Sequence, residues 1–249
     1  MVNKDYNAYL DLHCHYDELK ADYLREILIK NNIHAISASV DIESYKRLEK
    51  LRLEKISNLN FAYGIYPDEV IKKSLPTLLE EIKEINFEES IALGEIGLDY
   101  KVTKDKELRE NQKILFNKQL EIAEKLDKPI IVHTRYATKA TLDFLKDYSK
   151  LTVIFHWFSG SPEEIKEALD RGYYLTQRYA SPKIENINER LCQVFIETDY
   201  PVYKDGKEIE ITGIIDSYDV FCKEYNIPLD SIKTRMIKNF EKVFNKIDE

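Results

Sequence analysis

Tyr9-Leu10-Asp11-Leu12-His13-Cys14-His15 is a short strand candidate that runs into two histidines separated by one residue. Side chains two apart in a strand share a face, so both imidazoles can reach one ion while Cys14 points the other way. Runs of the same kind recur along the chain. With Ala8–His13 they number eight, the others being Ile33–Val40, Asn60–Ile65, Ile91–Glu95, Ile130–His133, Val153–His156, Tyr173–Thr176 and Gln193–Thr198. Charged segments of helical period lie between most of them. Leu108–Leu126 is the clearest, with Ile114, Leu115, Leu120, Ile122, Ala123 and Leu126 as its apolar contributors. Ser161-Pro162-Glu163-Glu164 opens another with a Ser cap, Pro in the first turn and early acids. Parallel neighbours need crossover helices, so eight strands alternating with helices predict an α/β fold, the closed (β/α)8 TIM barrel. An open doubly wound sheet is the alternative, but its usual Gly-rich first turn is missing here. Ser181–Leu191 is short, which predicts a small or irregular seventh helix.

Composition agrees. The 249 residues suit one barrel domain spanning 1–249, since no linker or composition shift divides them. At 43% hydrophobic and 33% charged, the chain can fill a large core under a well-solvated surface. Its apolar runs are too short for a membrane span, and the N-terminus lacks a secretory pattern. Seven glycines form neither GxGxxG nor GxxxxGK[ST], which argues against dinucleotide and P-loop sites. Cys14, Cys192 and Cys222 are odd in number and form no CxxC, as expected of a cytoplasmic protein without a disulfide framework or thiolate zinc knot. The 45 acidic against 37 basic residues, net −8, disfavour broad non-specific duplex binding. Bound metal ions can still supply local positive charge.

The five histidines carry the most information. A lone HxH could equally be two surface or capping residues. Glu95, however, lies in Ala92-Leu93-Gly94-Glu95-Ile96-Gly97, a carboxylate inside an apolar strand. Burying it demands a cationic partner, either a metal or a core Arg or Lys. His133 closes strand five, His156 closes strand six, and Asp199 follows strand eight. Each alone reads as a core or capping residue. In a barrel, all six reach the C-terminal mouth, where active sites form. They suffice for two divalent ions: His13, His15 and Asp199 at one, His133 and His156 at the other, Glu95 between. Histidine and carboxylate without thiolate suit Zn, Mn or Mg. His34, at the start of strand two, faces the opposite end and is expected to be structural.

Asp11-Leu12-His13-Cys14-His15, Gly94-Glu95-Ile96-Gly97-Leu98-Asp99-Tyr100 and Gln112…Phe116…Gln119-Leu120 resemble TatD-type metal-dependent deoxyribonucleases of the amidohydrolase superfamily. So do Pro129…His133-Thr134-Arg135, His156…Phe158-Ser159-Gly160, Glu197-Thr198-Asp199-Tyr200-Pro201 and Asn239…Phe244. The likeness runs in order from near residue 10 to near residue 244. It implies a TIM barrel, one or two metal ions, and hydrolysis of DNA phosphodiester bonds, commonly as an exonuclease. The ligand set it implies is the same six residues, with Arg135 placed to meet a substrate phosphate. There are departures. The family often has Gly-x-His-Pro-His after strand three, where this chain has Gly64-Ile65-Tyr66-Pro67-Asp68. Trp157 replaces the Cys of His-Cys-Phe-Ser-Gly, Tyr200 a small residue, and Thr176-Gln177-Arg178 a small, polar strand end. The implied metal shell is complete, and the substrate shell is altered.

The resulting expectation is a hydrolase of DNA ends or short single-stranded oligonucleotides, with no membrane or protein partner implied. Asp199 is the expected general base and Glu95 the bridging catalytic carboxylate, with Arg135, Tyr66 and Arg178 contacting substrate. Two alternatives stand beside it. One is a metal-dependent hydrolase of an ester or amide, on a small molecule or a charged tRNA. The other is a catalytically weak, metal-binding barrel.

Overall fold

The computed structural model describes residues 6–178, 181–204, 207–208 and 210–244. Its first half runs β1 (Tyr9–Cys14), α1 (Ala21–Lys30), β2 (Ile33–Ala38), α2 (Ile42–Leu53), β3 (Leu59–Tyr63), α3 (Glu69–Lys72), α4 (Leu75–Glu84), β4 (Ala92–Asp99) and α5 (Lys106–Leu126). The second half runs β5 (Ile130–Arg135), α6 (Thr138–Phe144), β6 (Val153–Phe155), α7 (Pro162–Asp170), β7 (Tyr174–Gln177), α8 (Ile187–Arg190) and β8 (Val194–Ile196). A short antiparallel pair, β9 (Tyr203–Lys204) and β10 (Lys207–Glu208), follows, then α9 (Gly213–Tyr225) and α10 (Leu229–Phe244).

Strands β1 to β8 stand in sequence order in one sheet, each parallel to the next, with helices in the crossovers. This is the (β/α)8 barrel. Its two ends meet through the residues after β8. Asp199 N–H donates to the His13 carbonyl (2.9 Å), and His15 N–H to the Tyr200 carbonyl (2.7 Å). The buried Asp11 carboxylate accepts the Thr198 N–H (2.9 Å) and hydroxyl (2.6 Å). Among the described residues no helix is long and apolar enough to cross a membrane.

All eight strand expectations have a counterpart, and α8 is the short seventh helix, four residues long. The largest boundary difference is β4, which continues four residues past Glu95 to Asp99. Gly97 makes this passage possible. Its φ is +142°, and a Cβ there would lie 2.0 Å from the His133 carbonyl oxygen. Only a residue without a side chain lets β4 and β5 approach so closely. Helix α5 differs in phase. Its buried face is Gln112, Leu115, Phe116, Gln119, Leu120 and Ala123, a helical stripe, whereas Ile114 lies outside it and is exposed. The two glutamines clip strand ends. Gln112 pairs with the backbone N–H and C=O of Asp99 (3.0 and 2.9 Å), and Gln119 with those of Ile65 (2.8 and 3.1 Å). They thereby fix the segments that carry Asp99 and Tyr66.

Candidate metal centre

His13, His15, Glu95, His133, His156 and Asp199 meet at the C-terminal mouth. Two of the strands supplying them are irregular where they do so. The β1–β2 register shifts between Asp11 and Cys14, and the β4–β5 register shifts between Leu93 and Ile96. Each shift inserts one residue relative to the partner strand, the bulge that re-aims a side chain beside an active site. His13 and Glu95 sit within these two bulges.

Glu95 divides the histidines into pairs. Its Oε2 lies 3.5 Å from His13 Nε2 and 3.4 Å from His15 Nε2. Its Oε1 lies 3.0 Å from His133 Nδ1 and 2.9 Å from His156 Nε2. Asp199 Oδ1 completes the first group, 3.6 Å from both His13 Nε2 and His15 Nε2. These separations suit a metal. Ligands about 2.1 Å from a tetrahedral ion stand about 3.4 Å apart along each edge. His13 Nε2 is buried without a hydrogen-bond partner, and it points into this group. The second group is tighter, with His133 Nδ1 only 3.1 Å from His156 Nε2.

Electrostatics favour a cation at this point. Burial alone would push the Glu95 carboxyl up, but the imidazoles of His156, His13, His133 and His15 hold it well below the carboxylate range. Burial and the neighbouring His156 keep His13 down, so it offers a neutral ring nitrogen. His15 is raised to about 10 because Asp199 and Glu95 outweigh its burial. The two carboxylates thus draw positive charge into the cluster, which a divalent ion can supply when bound.

Further groups aim the ligands; among them Tyr66 was expected at the substrate, while Ala38, Asp99, Glu197 and Asp11 carried no expected role. His15 Nδ1 faces the Ala38 carbonyl at 2.9 Å. His133 Nε2 faces Asp99 Oδ2 (3.3 Å) and the Tyr66 hydroxyl (2.9 Å). His156 Nδ1 lies 3.6 Å from Glu197 Oε1. Such outer carboxylates and carbonyls fix which ring nitrogen is turned to a metal. Asp11, buried and raised to about 7 by that burial despite its Thr198 hydrogen bonds, holds the Thr198–Asp199 segment against β1. The available signal was period two: Asp11 precedes His13 by two residues, Glu197 precedes Asp199 by two, and Asp99 follows Glu95 by four.

The expected substrate contacts fall differently. Tyr66, Asp68 and Arg135 line a cleft of about 570 Å³ over the cluster, with Lys72, Lys101 and Trp157. Arg135 is paired with Asp99 (Nε 2.9 Å, Nη2 2.6 Å), and its side chain is 42% exposed. The Tyr66 hydroxyl bonds Asp99 (3.0 Å) as well as His133. Arg178 is buried, its guanidinium carbon 3.9 Å from the Trp157 ring centroid and its Nη1 3.3 Å from Asp199 Oδ2. Its place is behind Asp199 and Trp157.

A parallel eight-stranded barrel with histidines and carboxylates gathered at its C-terminal mouth is the arrangement that metal-dependent hydrolases use. Residues 10–245 match the family model described as TatD related DNase, and the chain belongs to that family. It is similar to the uncharacterized metal-dependent hydrolase YabD of Bacillus subtilis, 30% identical over 208 residues that cover 77% of this chain and 79% of YabD. The uncharacterized metal-dependent hydrolase YcfH of Escherichia coli K12 is 25% identical over 259 residues, 95% of each chain. A Danio rerio relative, tatdn3, 25% identical and covering 96% of this chain and 98% of its own, bears deoxyribonuclease in a provisional name. Among solved structures, YjjV, a TatD homologue from E. coli K12, superposes with a TM-score of 0.79 at 24% identity, covering 96% of this chain and 99% of that one. Homologues and donor cluster together indicate divalent metal binding.

Proposed function

We propose that this protein hydrolyses phosphodiester bonds at DNA ends or in short single-stranded oligonucleotides, using one or two divalent ions (Zn, Mn or Mg). The observation that carries this reading is the bridging position of Glu95, one oxygen toward each histidine pair, beneath a cleft lined by Lys72, Lys101 and Arg135. Lys72, Lys101 and Arg135 stand at this cleft beside Asp68, and Lys101 together with the part of Arg135 turned from Asp99 gives an anionic substrate cations to meet. The family model and the tatdn3 name support the same reading. The three free cysteines are in keeping with a reducing, cytoplasmic setting.

In this reading His13, His15, Glu95 and Asp199 would hold one ion, and His133, His156 and Glu95 a second. When bound, such ions would supply Lewis-acid polarisation of the phosphoryl group and a lowered water pKa. Asp199, with Oδ1 turned to His13 and His15 and Oδ2 held by Arg178, is the carboxylate placed to take a proton from an attacking water and would serve as general base. The N–H groups of Arg135 not engaged by Asp99 meet a substrate phosphate, and Tyr66 keeps the His133 ring in place.

The test is cleavage of single-stranded DNA with Mg, Mn and Zn, beside a panel of generic esters and amides and a His13→Ala variant. Metal-dependent DNA cleavage lost in the variant is the expected result. Ester or amide turnover without DNA cleavage would replace the nuclease reading. Stoichiometric metal with no turnover would point to a binding barrel.

A further inference from the structure

Among the described residues, two large exposed rings line the cleft over the cluster. They are Trp157, 44% exposed, and Tyr136, 78% exposed. They leave adjacent parallel strands, Tyr136 directly after β5 and Trp157 two residues after the end of β6. The Trp157 ring is held from behind. Its backbone N–H donates to Thr176 Oγ1 and Glu197 Oε1, both at 2.8 Å, and this pins a left-handed turn of φ +38°. A bulky residue adopts that conformation only where its surroundings impose it. The Arg178 guanidinium lies 3.9 Å from the ring centroid, and the same guanidinium reaches Asp199. One side of the indole is therefore occupied by a cation, while part of the residue remains open to the cleft. Lys101 stands near Tyr136 in a looser version of this arrangement, 5.9 Å from its ring centroid.

We propose that Trp157, backed by Arg178 and joined by Tyr136, forms a stacking subsite for an unpaired nucleobase next to the bond that is cut. An aromatic plane fixed in advance stacks on a base with little ordering cost, and every base offers a π-face. A base inside a duplex has both faces covered by its neighbours, so the subsite selects single-stranded or frayed ends. The cleft volume of about 570 Å³ is in the range of sites for small ligands, as one captured terminus requires. Arg178 acts here as a positioning residue, since it touches the ring and the Asp199 carboxylate and not the base. The subsite deepens the nuclease reading by naming what the substrate must present, and it can be tested apart from turnover.

Trp157 is the single tryptophan of the chain, so intrinsic tryptophan emission reports on this ring alone. The experiment titrates EDTA-treated and Mg-supplied protein with dAMP and, in parallel, with 2-deoxyribose 5-phosphate, which lacks the base. Saturable quenching by dAMP and none by the sugar phosphate is expected. Tyr136→Ala should weaken the dAMP response, and Trp157→Leu should lower dAMP affinity, read by calorimetry, by about 5- to 150-fold. Unchanged emission up to millimolar dAMP, or equal affinity for the base-free compound, overturns the subsite. Because Tyr136→Ala keeps the reporter, misfolding of the Trp157 variant would leave the outcome readable. Oligonucleotides with an intact or an abasic terminal nucleotide separate the two readings. Quenching without DNA cleavage leaves the subsite standing and removes the nuclease. Cleavage of both ends with equal kcat/KM does the reverse.

Discussion

The floor of the barrel mouth and its rim are built by different rules. On the floor, His13, Glu95, His133 and His156 are all buried and arise from or directly after strands, with Asp99 facing the second nitrogen of His133 and Glu197 that of His156. The rim is carried by residues after the strands: Tyr66 and Asp68 past β3, Tyr136 past β5 and Trp157 past β6. It is half-buried at Tyr66 and Asp68, exposed at Tyr136 and Trp157, and mixed in charge. A site that must hold a cation tolerates little movement, because ligand geometry is fixed to within tenths of an ångström. A site that chooses substrate can vary while the floor stays intact. The two regions should therefore fail differently when altered, the floor through stability and metal, the rim through substrate.

Gly97→Ala should produce the largest effect. A Cβ would fall 2.0 Å from the His133 carbonyl oxygen at a φ of +142°, combining overpacking with backbone strain. Together these cost about 3 kcal/mol or more, a fall in Tm of roughly 6 to 12 °C for a chain of this size. Gly172, at φ +82° with nothing within 4 Å of the added carbon, is the control. Its alanine variant meets only the backbone term and should lose about 1 kcal/mol. Equal losses by calorimetry would show that the β4–β5 approach is looser than described, and that the floor lacks the rigidity assigned to it.

Asp99→Asn comes next. It preserves shape but removes the charge facing His133 Nε2 and Arg135. Outer-shell carboxylates of this kind are worth about 10- to 100-fold in metal affinity or activity. Chelator competition and steady-state kinetics would measure it. Unchanged metal affinity with a raised KM would reassign Asp99 to the rim, as the anchor of Arg135.

These contrasts also explain what could be read in advance. The barrel was legible because eight β-rich runs alternate with helical periods, and neither pattern depends on distant contacts. The cluster was legible because histidine and a lone strand carboxylate are scarce in apolar surroundings. The bulges at His13 and Glu95 were not, since register is a property of two strands and shows in neither alone. Asp11, Asp99 and Glu197 were quoted in motifs yet passed over, because an acid near a ligand reads as a cap until its partner is placed. The fourth strand candidate stopped at Glu95, whereas Gly97 allows β4 to continue to Asp99. Ile114 failed for the common reason that a helix face is set by what packs on it, here the strands reached by Gln112 and Gln119. Arg178 had been placed at the substrate from its strand end, and only the fold puts Trp157 in front of it.

The smallest expected effect lies wholly on the rim. Asp68 lines the cleft and pairs loosely with Lys72 at 3.4 Å. Burial raises its carboxyl above the ordinary value of 3.8 although Lys72 pulls it down. A raised carboxyl in the fold binds its proton more tightly than in the unfolded chain. The stability it contributes is thus complete below the unfolded value and is lost as pH rises through the folded one. Above that window the ionised group is held at a disadvantage, so Asp68→Asn should be no less stable than the parent at pH 7. Any gain should disappear toward pH 3, as thermal unfolding across pH would show. The same change removes a negative charge from the path of an anionic substrate. Repulsion between unit charges across solvent is on the order of 1 kcal/mol at contact and less further away, so KM should fall about two- to fivefold. Added salt should erase the gain, because the pair is screened, and kcat and metal content should not move. A fall in kcat or in bound metal would mean that Asp68 belongs functionally to the floor. A KM that does not move with a phosphodiester but improves with a neutral ester would turn the reading of the cleft away from anions altogether.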